Sequence, residues 1–442
     1  MKTAPRSKTI LALHDQQHDQ HPAPKKKKRR LVTSVPSSVR PYLRAIRFTT
    51  TKALTAAVKP SLKFTPGTSR AFGPPRGFVP SLQAYARSNR SGAASYVELY
   101  PEHEVVRKLP FFLPKSWEDA AMAMRAEFRD EERGKYPAAG VAVIENARVL
   151  TDRGTIIAPP DQFVADVSDA WTSGTEIIYP IFLKSRLPRI TRTEETVAVL
   201  SSHCSWFNFG HWLGDTLPRL HLLEKSGIHY DKIVVPYTAS YQREALELLG
   251  IDRSKMIVDT TLHLEARRLV VPTFPGLYGL PPRWACEYLR ERFVPHAKPR
   301  ADMPRRILIS RNKPGATRRL LNEDILYDAL RHFAVQRVFT EDLTFAEEIA
   351  IFHNAEFVIG PVGAGMVNLV WCKPGTPVVE IFNPRYVNVM NWMIANHGDL
   401  NYAYSIGAGA PLSMSAGDHG MYEDITADLD EVMRLFLLVC RP

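Results

Sequence analysis

His211, Asp215 and Arg219 follow one another at intervals of four in the stretch FNFGHWLGDTLPRLHLLE, residues 207–224. If the chain is helical from about Asn208, His211 and Asp215 share one face, while Leu213, Leu217 and Leu220 turn toward a core. A carboxylate beside an imidazole is an acid/base pair, and Arg219 adds a cation to the same face. Pro218 has no N–H to give to the Gly214 carbonyl, so the helix kinks there or only begins there. In both cases the His–Asp pair lies at a helix irregularity.

Two further groups suit phosphate. In LISRNKPGATRRLLNED, Arg311 leaves a strand at its carboxyl end, and Lys313, Arg318 and Arg319 follow in the loop before the next helix. A guanidinium fork there gives a diphosphate two parallel, charge-assisted hydrogen bonds. In IGPVGAGMVN a strand ends at Gly360, and Gly363 and Gly365 let the backbone approach a ligand with no Cβ in the way. The helix that follows starts with unpaired N–H groups and a partial positive charge. The backbone of Gly363, Ala364 and Gly365 is therefore a candidate phosphate cradle, and Asn368 just beyond it joins the donor-binding set. Glu380 ends the strand PVVEIF, where a carboxylate can accept hydrogen bonds from both ribose hydroxyls or be satisfied by a neighbouring arginine.

The elements that must position these groups are short. From GVAVIENARVL onward, β-branched runs (TIIAP, TVAVLSS, KIVVP, RRLVVPT) alternate with helical ones such as ASYQREALELLG. After VPHAKPRADMPRR the alternation becomes cleaner. RILIS, VQRVF, EFVIG and PVVEIF read as strands; NEDILYDALRHF reads as a helix with Ile325, Ala329, Leu330 and Phe333 on its inner face. Thr344 and Glu347 have capping-box spacing ahead of FAEEIAIFHNA. EDITADLDEVMRLFLLV closes the chain as a helix, with Ile425, Leu429, Val432 and Phe436 on one side. Strand, helix, strand in this rhythm implies parallel pairing. The fold expected is α/β: two Rossmann-like domains, residues 96–300 and 301–442, facing each other across a cleft, with ligands at the carboxyl ends of the strands.

Charge divides the chain differently. The net charge is +11 over 442 residues, but residues 1–95 alone carry +17, leaving −6 for the rest. That argues against a body-wide nucleic-acid surface, because phosphate binding needs a basic face on the folded part, and no nucleic acid is expected there. The head, residues 1–95, is rich in Pro, Ser, Thr, Lys and Arg without a sustained period and reads as largely disordered. Its run from Lys25 to Arg30 has the composition of a nuclear localisation signal or of plain solvated charge. The segment with Leu43, Ile46, Leu54 and Val58 reads either as unstructured or as a basic amphipathic helix able to touch a membrane surface. Cys204, Cys286, Cys372 and Cys440 show neither CxxC pairing nor zinc spacing, so a reducing, cytoplasmic compartment is expected and no metal site is assigned. No run approaches the ~18 to 20 apolar residues of a membrane span.

Three stretches in order, HWLGDTLPRL, ISRNKPGATRRLLNEDIL and IGPVGAGMVNLVWCKPGTPVVEIF, resemble glycosyltransferase family 61, and NARVLTDRGTII is similar to the lead-in of that family. The resemblance covers residues from about 140 to 405. It implies a GT-B architecture, a nucleotide-sugar donor, and inverting transfer of a hexosyl or pentosyl group to a hydroxyl acceptor without an obligatory metal. The acceptor implied is a glycan or glycolipid of polysaccharide biosynthesis, met in the cytoplasm or at the inner face of its membrane. On that reading Asp215, or His211 oriented by Asp215, is the base; Arg311 with Arg318 or Arg319 holds the diphosphate. Val362 stands where the family commonly has His before Gly-Ala-Gly. The alternative is accordingly a catalytically impaired protein that binds nucleotide sugar or glycan on the same fold.

Overall fold

The computed structural model describes residues 74–440, apart from 90, 114–123, 169–170, 174–175, 185, 203, 278 and 410–419. The Lys25–Arg30 run and the amphipathic segment of the head lie outside the described residues. The described end of the head, from residue 74 onward, departs from the expectation of disorder. Gly77–Val79 (β1) pairs with a body strand, and Leu82–Ser88 (α1), capped by Ser81, buries Leu82 and Ala86.

Two sheets form the body. The first has nine strands and is mixed. In chain order it uses β1, Ala94–Tyr100 (β2), Ala139–Leu150 (β3), Thr155–Ala158 (β4), Gln162–Val164 (β5), Ile190–Val199 (β6), Lys232–Val234 (β7), Met256–Ile257 (β8) and His263–Pro272 (β9). They lie in the order β1-β5-β4-β3-β9-β6-β7-β8, with β2 on β3. β6 runs parallel to β7 and β9, but the long central strand β3 is antiparallel to β9, β2 and β4. This half is therefore a mixed sheet and not the wholly parallel one expected: the parallel set β8-β7-β6-β9 is extended by antiparallel strands. The tight turn at Thr151–Gly154, with Gly154 at φ 66°, returns the chain directly and makes the neighbours antiparallel, where a crossover helix would have made them parallel.

The second sheet meets the expectation. Arg306–Ile309 (β10), Val335–Val338 (β11), Phe357–Pro361 (β12), Pro377–Phe382 (β13) and Asn401–Ile406 (β14) are all parallel in the order β11-β10-β12-β13-β14. Counted within the sheet, that order is 2-1-3-4-5, the doubly wound arrangement whose switch point lies between the first and third strands. Continuous apolar runs such as Val378, Val379, Ile381 and Phe382 suit strands buried on both faces. The crossovers include Glu323–Leu330 and Phe345–His353. The latter carries the capping box read from Thr344 and Glu347. The inner face of the former is Glu323, Leu326 and Leu330; Ile325 and Phe333 are exposed. Ser310 and Arg337 draw the Glu323 carboxylate inward and so rotate the helix.

The boundary expected near residue 300 is not respected either. Phe111 bridges to Ala403 on the edge of β14, and Phe128 packs its ring 4.7 Å from Tyr404 and 5.4 Å from Trp392. A segment from the first half thus straps the second sheet, and the described residues fall in one compact unit. One apolar core runs from Trp212, Leu213 and Leu217 into Met366, Val367 and Trp371. No helix among the described residues is long and apolar enough to cross a membrane.

Candidate active site

Asn208 starts the helical stretch as expected: its Oδ1 accepts from the N–H of Gly210 (2.9 Å) and of His211 (3.3 Å). A single α-turn, Phe209–His211, passes into a π-turn over Trp212–Thr216, closed by Leu217 N–H to Trp212 O at 3.0 Å, and Pro218 then opens an α-helix to Ser226. The irregularity is the consequence of Pro218, whose missing N–H and ring forbid an ordinary turn across Gly214.

Within this turn His211 Nδ1 and Asp215 Oδ2 are 2.6 Å apart, and Asp215 Oδ1 accepts the N–H of Gly279 at 2.9 Å. Both carboxylate oxygens are engaged and Asp215 is 1% exposed, whereas the His211 side chain is 21% exposed. A carboxylate on Nδ1 fixes the tautomer with the proton there and leaves the basic lone pair on Nε2. The more accessible member of the pair is therefore the one equipped to take a proton.

Gly279, 64 residues downstream of Asp215, is the support that sequence reading missed. Its φ is +81°, and a Cβ there would lie 3.3 Å from His211 Cε1. Only the run of glycines and prolines in GLYGLPP hinted at a constrained loop. Gly279→Ala is expected to strain the backbone, push on the imidazole and lower kcat by about 10- to 100-fold at nearly unchanged donor KM, measured by steady-state transfer kinetics.

The helix bearing the dyad lies on the second half of the molecule. A Cβ at Gly210 would sit 3.2 Å from Val367 Cγ2 and from Met390 Cε, on the 3₁₀ helix Ala364–Trp371 and the helix Met390–His397. That 3₁₀ helix begins at Gly363, where a Cβ would overlap Arg311 Nη1. At ~2 Å rise per residue, Val367 is about 8 Å along the helix from Gly363. The dyad and Arg311 thus abut one short element from two ends.

Arg311 lies at the switch point of the second sheet, just beyond the carboxyl end of β10, with Nε donating to Thr317 O at 2.9 Å. Arg318 stands close by in a left-handed conformation, φ 59°, its guanidinium 5.4 Å from the Tyr386 ring centroid and its buried Nε without a partner. Neither arginine is in an ion pair with a carboxylate among the described residues. Burial, and then the neighbouring charge of Arg318, pull the Arg311 guanidinium down to about 10. Arg319 is not part of this pair: Asp424 takes its Nη2 at 2.6 Å and its Nε at 3.1 Å. Lys313 is likewise held, by Asp342.

Two expected donor contacts turn inward. Glu380 is fully buried; its oxygens accept from Asn391 Nδ2 and Tyr402 OH, so neither is open to a ribose. Burial pushes its carboxyl up to about 7 against those two hydrogen bonds. Asn368, also fully buried, donates to Gly365 O and accepts from Trp371 Nε1, which locks the 3₁₀ helix and contacts no solvent. Gly363, Ala364 and Gly365 remain at the mouth, partly exposed.

Residues 209–379 match the family model Glycosyltransferase 61. The chain carries a glycosyltransferase 61 domain. It is a glycosyltransferase, and the match begins one residue after the Asn208 cap and takes in His211, Asp215, Gly279, Arg311, Arg318 and Gly363. It ends one residue short of Glu380. Among curated proteins, none matches the chain. In this glycosyltransferase Val362 is 2% exposed, and its N–H donates to Ile381 O, so the position is apolar core beneath the loop. Two cavities of about 420 and 390 Å³ lie elsewhere, around Lys108, Asn396 and Asp399, and include none of the dyad or arginine residues.

Proposed function

We propose that this glycosyltransferase is an inverting enzyme that takes a sugar from a nucleotide-sugar donor and passes it to a hydroxyl of a glycan or glycolipid acceptor in polysaccharide biosynthesis. The observation that carries the reading is the juxtaposition of Arg311 and Arg318, neither in an ion pair with a carboxylate among the described residues, at the switch point of a doubly wound sheet. Two like charges brought together raise the energy of the empty site, and a diphosphate between them offsets it. His211 Nε2 takes the acceptor proton as the acceptor oxygen bonds to the anomeric carbon and the bond to the diphosphate breaks. The leaving charge falls on Arg311, Arg318 and the backbone at Gly363. With one base, and the neighbouring Asp215 carboxylate buried and engaged through both oxygens, a single displacement inverts the anomeric centre.

On this reading no metal is required, since arginines take the diphosphate charge. The one DxD-like stretch, residues 428–430, supplies the cap of the last helix: Asp428 Oδ1 accepts from Glu431 N–H at 3.1 Å. The nucleotide-sugar substrate places the enzyme in the cytoplasm, with the basic head as its contact to the inner face of the membrane. A second reading rests on Val362, an apolar residue where the family commonly has an imidazole: a protein that binds donor without turning it over.

Incubation with a panel of nucleotide sugars separates the two. Release of nucleoside diphosphate from one donor, unchanged by EDTA, together with a product of opposite anomeric configuration by proton NMR, is expected. Donor bound but never cleaved supports the second reading, and loss of turnover with EDTA puts a metal into the mechanism.

A further inference from the structure

Arg219, the third member of the spaced set, takes no part in the steps above. It is fully buried. Its Nη1 donates to the carbonyls of Leu200 (3.0 Å) and Ser201 (3.3 Å), and its Nη2 to that of Pro272 (2.7 Å). These carbonyls close the carboxyl ends of the neighbouring parallel strands β6 and β9. The guanidinium carbon lies 5.2 Å from the centroid of the Phe274 ring. Burial pulls the guanidinium down to about 9, with the Asp215 charge acting in the opposite direction. All three acceptors are neutral, and among the described residues no carboxylate touches it. A full positive charge is thus enclosed beneath the dyad, with Asp215, one turn earlier, as its counter-charge.

Among the described residues, His211 and the Gly279 N–H are hydrogen-bond partners of Asp215, its charge acts on Arg219, and the neighbours packed on the adjacent Gly214, Pro281 and Met390, are uncharged. We infer that Arg219 is a positioning residue: it clamps the ends of two strands to the catalytic helix and sets a buried positive charge one turn from Asp215, and so holds the dyad in place. The inference rests on the reading of His211 and Asp215 as the base. An ammonium could provide the charge, but only the planar fork spans three carbonyls on two strands.

Arg219→Met removes charge and fork; Arg219→Lys keeps the charge alone. Both are expected to melt earlier than the wild type. With the strand ends unclamped the dyad is displaced, so Arg219→Met lowers kcat at least about tenfold at nearly unchanged donor KM, and Arg219→Lys, which keeps the charge, recovers part of the loss. Wild-type kcat in Arg219→Met would overturn the inference. Melting temperatures in an Asp215→Asn background test the charge itself. There the guanidinium is a buried cation without counter-charge, so Arg219→Met costs less than in the wild type; equal costs overturn the inference. Full transfer by Asp215→Asn alone would instead bring down the base assignment, and this inference with it, without any Arg219 variant being made.

Discussion

Asp215→Asn should reduce transfer by at least about a hundredfold while nucleoside diphosphate affinity stays within about twofold. The reason is a matter of which atom donates. The substituted side chain can still accept the Gly279 N–H through its carbonyl oxygen, but its amide then presents a donor to His211 Nδ1. Imidazole answers by moving its proton to Nε2, and the lone pair that should take the acceptor proton is gone from the accessible side. The side chains are nearly isosteric, so the backbone keeps its course, although the buried Arg219 loses its counter-charge and the melting temperature falls. His211→Ala should reach a similar floor, and the double variant should fall little further, since the two act as one unit. Single-turnover transfer with radiolabelled donor, alongside calorimetric nucleotide binding, checks this. Unchanged turnover in Asp215→Asn would remove the pair from catalysis.

The second large effect is on binding. Arg311→Ala and Arg318→Ala should each weaken UDP or GDP by about 10- to 100-fold, the equivalent of about 1.5 to 3 kcal/mol per lost charge-assisted hydrogen bond. Affinity for the corresponding monophosphate should change little if the two guanidiniums meet the diphosphate. The ligand-free protein offers an independent check. Because Arg311 and Arg318 repel each other and neither is in an ion pair with an acid among the described residues, while Arg318 acts on the buried Glu380 only at a distance, removing Arg318 should leave the apo melting temperature nearly unchanged. Removing a structural arginine would lower it, as removing Arg319, paired with Asp424, should. Equal losses for mono- and diphosphates would move the arginines away from the diphosphate and overturn the donor assignment.

How much of the site was legible follows from distance along the chain. The His211–Asp215 contact depends on one turn of helical backbone and on the Asn208 cap, all local, and it survived the change from an α- to a π-turn. Arg311 and Arg318 share the loop in which a parallel strand must end, so their convergence followed from the strand reading. Arg319 differs from Arg318 by one residue, yet Asp424, 105 residues away, decides that it turns outward. Glu380 was legible as a carboxylate at a strand end; that Tyr402 and Asn391 would occupy both of its oxygens was not, because those partners come from the next strand and the helix between.

The amino-acid sequence alone determined the parallel second sheet, its capped helices and the types of group available for proton transfer and phosphate binding. Those properties follow from period, cap and turn, which span a few residues each. Only the tertiary structure decided that β3 would run antiparallel and make the first half a mixed sheet, and that Gly279 would hold Asp215. It also decided that His211 would be the more exposed partner and that Glu380 and Asn368 would face inward. Each of those outcomes is fixed by burial and by a hydrogen-bond partner brought from a distant segment, and neither can be read from the spacing of the residues that display it.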